Sequence, residues 1–329
     1  MTIVRQPTRA GVRDAAAKIA AILPQTPVLT AEIRGVTIAF KAECLQPIGS
    51  FKLRGAWHRL TALDEGQRQR GVVAFSSGNH AQGIAWAARR LHMPAVIVMP
   101  DDAPKVKRDA TLSLGAEVVA YDRHRESREK IAAHLAHARG ATLVPSFDDP
   151  WVIEGQGSAG IELQTQMIEM GLNEPTRVLV PCGGGGLSSG IALALPDSEI
   201  VPVEPEHWDD MRRGLEAGWI ESVPNDAPPT ACDALMTREV SPLTFEVLAR
   251  RGIRGLAVSE EEIRAAQRWA ARHLRVVVEP GGAVALAALL AGKAEAAPGT
   301  AVILSGGNVD PAAYAGVLAG EATVVPEDA

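Results

Sequence analysis

The chain lacks the features that mark disulfide-stapled, membrane-spanning or nucleic-acid-binding proteins. Its three cysteines, Cys44, Cys182 and Cys232, show no Cys-x-x-Cys spacing. Neither a disulfide framework nor a zinc site is indicated, and they read as reduced thiols in packed surroundings. An excess of basic residues is missing too: the net charge is -6 and the isoelectric point near 5.8, which argues against nucleic acid as a partner. No apolar run reaches the roughly 18 residues of a spanning helix. The stretch Met1 to Gln6 has none of the apolar core of a secretion signal. No membrane partner and a cytoplasmic location are therefore expected. Repeats of solenoid period and low-complexity tracts are also absent. What the chain does have is 329 residues, 47% of them hydrophobic, enough to bury a sizeable core in two domains or one large α/β unit.

Short β-branched runs alternate with longer amphipathic or alanine-rich segments. The runs are Val72 to Phe75, Ala95 to Met99, Glu117 to Ala120, Val178 to Val180, Ile200 to Val203, Arg275 to Val278 and Ala301 to Leu304. This rhythm predicts βα units around mostly parallel sheets. Helices are expected over Ala81 to Leu91, Arg125 to Ala138 and Glu260 to His273, the last opened by a Ser259/Glu262 capping box. Pro224 to Pro229 reads as a surface loop. Pro145 to Pro150 is the best candidate for a domain boundary, with Pro47-Ile48-Gly49 a second.

Four glycines, Gly183 to Gly186, follow the apolar run ending at Cys182 and precede Leu187-Ser188-Ser189-Gly190. A strand, a glycine turn and a helix start make an anion cradle, because backbone without Cβ can approach a phosphate and point N–H groups at it. A tightly packed turn is the other reading. The pattern is neither a P-loop, since no Lys-Ser/Thr pair follows, nor a dinucleotide fingerprint. Lys52 in Ser50-Phe51-Lys52-Leu53-Arg54-Gly55-Ala56 stands at a predicted helix start, where the helix dipole disfavours a cation and favours a neutral, nucleophilic amine. A solvated surface lysine is the alternative. Ser76-Ser77-Gly78-Asn79-His80 follows a predicted strand, and its hydroxyl, amide and N–H groups suit a carboxylate, or simply cap a helix. Ser305 in Leu304-Ser305-Gly306-Gly307-Asn308 suits a heterocycle nitrogen, or a turn's own backbone.

The set SFKLRGA, SSGNHAQG, GGGGLSSG and LSGGN, in this order and at these separations, resembles the fold-type II pyridoxal-phosphate enzymes, in their serine/threonine dehydratase and serine racemase branch, from about Pro27 to Ala319. The resemblance implies a two-domain α/β fold of the tryptophan synthase beta-like type, with mostly parallel sheets flanked by helices. Residues 1–47 and 149–329 would form a large cofactor-binding domain and residues 48–148 a small one. It makes Lys52 the Schiff-base lysine and Phe51 the side chain lying against the pyridine ring. Asn79 would meet the phenolic oxygen, and Gly183, Gly184, Gly185, Gly186 and Leu187 the phosphate. Ser305 would meet the ring nitrogen; a neutral hydroxyl there makes the ring a weaker electron sink, which suits elimination from Cβ.

The implied activity is an ammonia-lyase for L-serine or L-threonine. Lys52 removes the Cα proton, the β-hydroxyl leaves, and a 2-keto acid and ammonia result. Ser76, Ser77, Asn79 and His80 would clamp the substrate carboxylate. Ser77 also stands where racemases place a second acid/base, so serine or aspartate racemisation is an alternative. Arg128 aligns with an arginine that can receive a distal carboxylate, which brings in 3-hydroxyaspartate; a helix-surface arginine is the competing reading. Glu204, Asp210 and the carbonyl of Trp208 match a divalent-cation site suited to Mg²⁺ or Ca²⁺, or else form a solvated acidic loop. Glu279 is expected near the cofactor in a supporting role. Ala234 replaces the glycine that relatives carry after Asp233. A homodimer is implied by the resemblance, and a non-catalytic pyridoxal-phosphate sensor on the same fold is the non-enzyme alternative.

Overall fold

The computed structural model describes residues 5–320 apart from 77, 104 and 124. Its strands are β1 (Val28–Ile33), β2 (Val36–Ala42), β3 (Val72–Phe75), β4 (Ala95–Pro100), β5 (Glu117–Tyr121), β6 (Thr142–Leu143), β7 (Arg177–Pro181), β8 (Glu199–Pro205), β9 (Leu256–Val258) and β10 (Thr300–Leu304). They form a six-stranded sheet in the order β1-β2-β10-β7-β8-β9 and a four-stranded sheet in the order β5-β4-β3-β6. All pairings are parallel except β1 with β2. That pair is a hairpin whose two turn residues, Arg34 and Gly35, both sit at positive φ (53° and 76°), as the tightest hairpin loops require.

Parallel strands need crossover connections, and the helices that supply them cover both faces of each sheet. In the six-stranded sheet, Ile38, Phe40 and Ala42 pack toward the helix Pro280–Leu290, while Ala39 points to the opposite core with the helices Pro150–Glu169 and Gly186–Ala194. In the four-stranded sheet, Val72, Ala74 and Ile97 face the helices Lys52–Thr61 and Asn79–Arg90, and Val73, Val96 and Val98 face Arg128–Arg139. Alternation along these strands thus divides the buried apolar side chains between two cores.

A buried charge network anchors the helix that begins with Lys52. The Arg54 guanidinium, fully buried, donates to both Glu43 oxygens (2.7 and 2.8 Å), both Glu162 oxygens (2.7 Å each) and Ser158 Oγ (3.0 Å). Lys41 Nζ donates to Glu162 (2.8 Å) and to the Thr26 carbonyl (2.7 Å). Burial alone would raise the Glu43 carboxyl, but Arg54 outweighs it and holds the group down at about 2. Removing one partner from such a set leaves an uncompensated buried charge, so the network strongly constrains where the helix can sit.

Two sequence expectations need correction. Arg275 to Val278 is not a strand. The helix Glu260–Trp269 runs into a π-helical turn, Ala270–Leu274, and Arg275 at φ 59° turns the chain out of it. Val276 and Val278 are buried on either side of exposed Val277, but Gln267 Nε2 donates to the Val278 carbonyl (2.8 Å) in place of a ladder partner. Alternating burial without a neighbouring strand imitates the period-2 signal. The helix expected from Arg125 starts instead at Arg128, because Ser127 accepts from Lys130 N and caps it there. The Ser259/Glu262 capping box is present as expected, and Pro224 to Pro229 is loop.

Candidate active site

The carboxyl ends of β3, β7 and β10 open onto one cavity of about 630 Å³, at the position where open parallel sheets hold ligands. Its wall includes Phe51, Lys52, Ser76, Asn79, His80, Arg128, Gly183 to Leu187 and Ser305. The structure therefore brings together side chains that lie as far as 254 residues apart in the chain. Ser77 lies outside the described residues.

Lys52 opens the helix Lys52–Thr61, with Phe51 as its N-cap. Its Nζ donates to the Ser146 carbonyl (2.9 Å) and lies 5.2 Å from the Phe51 ring centroid. Burial lowers the amine from 10.5 to about 8. The direction agrees with the sequence expectation, and burial is the cause. His80 gives no competing cation, since burial, and then the Lys52 charge, hold its imidazole down at about 3. Its Nε2 pairs with the Val144 carbonyl (2.9 Å), which makes Nε2–H the donor.

The glycine run has the build of an anion cradle. Gly185 sits at φ 83° as the N-cap of the helix Gly186–Ala194. No oxygen among the described residues accepts from the backbone N–H groups of Gly183 to Leu187. A Cβ on Gly184 would lie 2.3 Å from the Phe147 ring, so the loop and that ring are in contact and only glycine fits. Free donors, a helix N-terminus and bare backbone together suit a phosphate.

Arg128 stands in the cavity wall with its guanidinium 5.5 Å from the Phe75 ring centroid and its Nε on Glu129 (2.8 Å). Ser76 Oγ accepts from Gly78 N (3.1 Å). Ser305 is buried, its carbonyl accepts from Phe51 N (3.1 Å), and its hydroxyl makes no hydrogen bond among the described residues. Glu279 does reach the cavity: Asn79 Nδ2 donates to its Oε1 (2.6 Å), and burial, then the charge of Asp233, push its carboxyl up to about 8. Sequence reasoning gave no role to Phe147, Lys107, Asp233 or Asn308. Lys107 and Asp233 form an ion pair in the cavity wall. Phe147 sits in the turn-like segment read only as a boundary, and turn residues carry no signal of what they face.

The three residues expected to hold a divalent cation are not in the cavity wall. Glu204, at the end of β8, accepts from Met211 N (3.1 Å) and Arg212 N (2.7 Å). Both Asp210 oxygens are buried without a partner. Burial pushes Asp210 up to about 7, and burial with the neighbouring Asp210 charge pushes Glu204 well above the carboxylate range. Trp208 uses its indole N–H on the Pro228 carbonyl (2.8 Å). Among the described residues no group of three or more His, Cys, Asp or Glu side chains is placed to hold a metal. This pair backs onto the glycine loop, because Met211 Cε lies where a Cβ on Gly185 would be, 2.6 Å away. The three cysteines are free and buried, with thiols raised by burial. Among the described residues no helix is long and apolar enough to cross a membrane.

The chain resembles known proteins over nearly all its length. It is 43% identical over 319 residues to L-threo-3-hydroxyaspartate ammonia-lyase of Pseudomonas sp, covering 94% of this chain and 98% of that one. It is 39% identical over 322 residues to serine racemase of Schizosaccharomyces pombe, covering 95% and 97%. The solved structure of maize serine racemase superposes with a TM-score of 0.87 at 34% identity, covering 94% of this chain and 95% of that one. Residues 20–306 match the profile described as pyridoxal-phosphate dependent enzyme. That span holds Lys52, the glycine run and Ser305 of the cavity wall, and the chain belongs to the pyridoxal-phosphate dependent enzymes, of fold type II.

Proposed function

We propose that the protein is an ammonia-lyase that converts a 3-hydroxy amino acid to a 2-keto acid and ammonia, with L-threo-3-hydroxyaspartate preferred over L-serine and L-threonine. The observation that carries the preference is Arg128 in the wall of the same cavity as Lys52, a guanidinium within reach of a second substrate carboxylate. The name of the Pseudomonas relative supports it.

In this reading the N–H groups of Gly183 to Leu187 hold the cofactor phosphate, Ser305 meets the ring nitrogen, Asn79 the phenolic oxygen, and the Phe51 side chain lies against the ring. When bound, pyridoxal phosphate supplies an aldehyde for an amine and a conjugated ring that draws electrons from Cα. Ser76, Asn79 and His80 stand in the cavity wall at a strand end and helix start, and they bind the α-carboxylate. The Lys52 amine, lowered to about 8, is partly neutral near pH 7.5 and takes the Cα proton as general base. The β-hydroxyl departs with a proton as water, and the released enamine takes up water to give the keto acid and ammonia. Racemisation is the second reading, favoured by the Schizosaccharomyces relative, with Ser77 as acid/base on the opposite face.

The same proposal takes Glu204, Asp210 and the Trp208 carbonyl as ligands for Mg²⁺ or Ca²⁺. Two neighbouring, fully buried carboxyl groups offer the oxygen ligands that hard ions take. It also takes residues 1–47 with 149–329, and residues 48–148, as two domains around the two sheets, in a cytoplasmic homodimer.

The test is keto-acid and D-isomer formation by the holoenzyme on L-threo-3-hydroxyaspartate, L-serine and L-threonine, repeated with Arg128→Met. Loss of one charge-assisted contact should raise KM for hydroxyaspartate by about 10- to 100-fold and leave serine turnover within about 2-fold. Equal effects on all three substrates would remove Arg128 from the reading.

A further inference from the structure

We propose that Glu279 and Asn308 are positioning residues that lock the Asn79 carboxamide so that a single N–H remains to face the cofactor. An amide side chain has two N–H donors and one acceptor oxygen. Asn79 Nδ2 donates to Glu279 Oε1 at 2.6 Å, and Asn79 Oδ1 accepts from Asn308 Nδ2 at 2.8 Å. Asn308 is itself fixed, because the other N–H of its Nδ2 goes to the Ile48 carbonyl at 2.8 Å. Turning the Asn79 amide over would set nitrogen against the nitrogen of Asn308 and oxygen against an oxygen of Glu279. The bond to Asn308 would be lost, because the Ile48 carbonyl holds the Asn308 amide in its orientation. One hydrogen on Nδ2 is left, and Asn79, although buried, is part of the cavity wall. That hydrogen suits an anionic oxygen and cannot serve as an acceptor.

The glycines around this clasp follow from it. A Cβ on Gly306 would lie 2.0 Å from Glu279 Oε1 and 3.2 Å from Asn79 Nδ2, and one on Gly49 would lie 2.3 Å from Asn308 Oδ1. Two glycines far apart in the chain are therefore needed to leave room for the same three side chains. The clasp also links the two sheets: Asn79 opens the helix after β3 of the four-stranded sheet, Glu279 caps the helix Pro280–Leu290 packed on the six-stranded sheet, and Asn308 follows β10.

The inference rests on the cofactor lying in this cavity with its phenolic oxygen toward Asn79, and on no particular substrate. Its test accordingly uses no substrate. Apoprotein is titrated with pyridoxal phosphate, and the dissociation constant and visible absorption maximum are read for Asn79→Ala, Asn308→Ala and the double variant. Glu279→Gln and Glu279→Leu are measured beside them, with the apo melting temperature as the check on folding. Asn308→Ala and Glu279→Leu should each weaken binding by about 10-fold and move the maximum in the same sense as Asn79→Ala. Glu279→Gln, which keeps an acceptor oxygen, should stay within about 3-fold of the parent. The double variant should be no worse than Asn79→Ala alone, since both partners act through that amide. Additive losses, or an absorption maximum that Asn308→Ala leaves unmoved, would overturn the proposal. Should Asn308→Ala not fold, Asn308→Asp serves, because it sets an oxygen against Asn79 Oδ1 and is expected to reproduce the Asn79→Ala spectrum; a parent spectrum there would equally overturn it. A failure on hydroxyaspartate with these results intact would count against the substrate reading alone.

Discussion

Replacing Lys52 by methionine should stabilise the apoprotein at neutral pH, and the gain should vanish as the pH rises. The fold lowers this amine from 10.5 to about 8 by burial, so below about pH 8 it encloses a charge that the unfolded chain leaves in water. Between about 8 and 10.5 the unfolded chain holds a proton that the fold does not, and wild-type stability climbs with pH. Above that window both states are neutral and the penalty is gone. The gap corresponds to about 3 kcal/mol at about 1.4 kcal/mol per pH unit, an upper bound because the side chain is partly open to the cavity. Methionine keeps the length and flexibility of the side chain without its charge. Loss of the bond to the Ser146 carbonyl offsets about 1 kcal/mol at every pH and does not change the slope. Urea unfolding of both apo forms at pH 7, 9 and 11 measures the difference. A variant advantage that falls by about 2 to 3 kcal/mol from pH 7 to pH 11 is expected. A difference independent of pH would refute burial as the cause of the neutral amine, and with it the account of how this lysine is made ready as a base.

Gly184→Ala should weaken pyridoxal phosphate binding by about 10-fold or more, since its Cβ would lie 2.3 Å from the Phe147 ring and overpacking of this kind costs about 1 to 3 kcal/mol. Unchanged affinity in a cofactor titration would mean that the glycine run is a turn and not the cradle. Mg²⁺ or Ca²⁺ should raise the melting temperature of the wild type and not of Glu204→Gln. The effect should fade below about pH 7, where protons compete for Asp210; a melting temperature indifferent to both ions would leave the two carboxylates as a structural pair.

Where local chemistry carries the information, the chain was legible residue by residue. The runs at Val72, Ala95, Glu117, Val178, Ile200 and Ala301 became strands because β-branched residues bounded by glycine, proline or polar loops have few other conformations open to them. The Ser259/Glu262 box started its helix for the reason its spacing implied. The hairpin of β1 and β2 was not legible, because Arg34-Gly35 is not one of the common hairpin turn pairs and Thr30, Ala31 and Ala39 dilute the apolar pattern. Arg275 to Val278 misled for the converse reason, since alternating burial does not reveal whether a neighbouring strand exists.

Local chemistry around Lys52, Asn79, Gly183 and Ser305 pointed to an anion cradle, a lysine at a helix start and polar loops at strand ends, and the resemblance carried by the four motifs together pointed to pyridoxal phosphate. Backbone conformation, helix ends and bare glycines are local properties, readable from neighbours in sequence. Only the tertiary structure decided that Arg128 stands in the cavity wall, that burial sets the Lys52 amine, and that Glu279 and Asn308 hold Asn79 between them. Those properties belong to groups separated by up to 229 residues. Desolvation and hydrogen-bond pairing at such separations exist only once the two sheets have closed on one another, and no spacing along the chain encodes them.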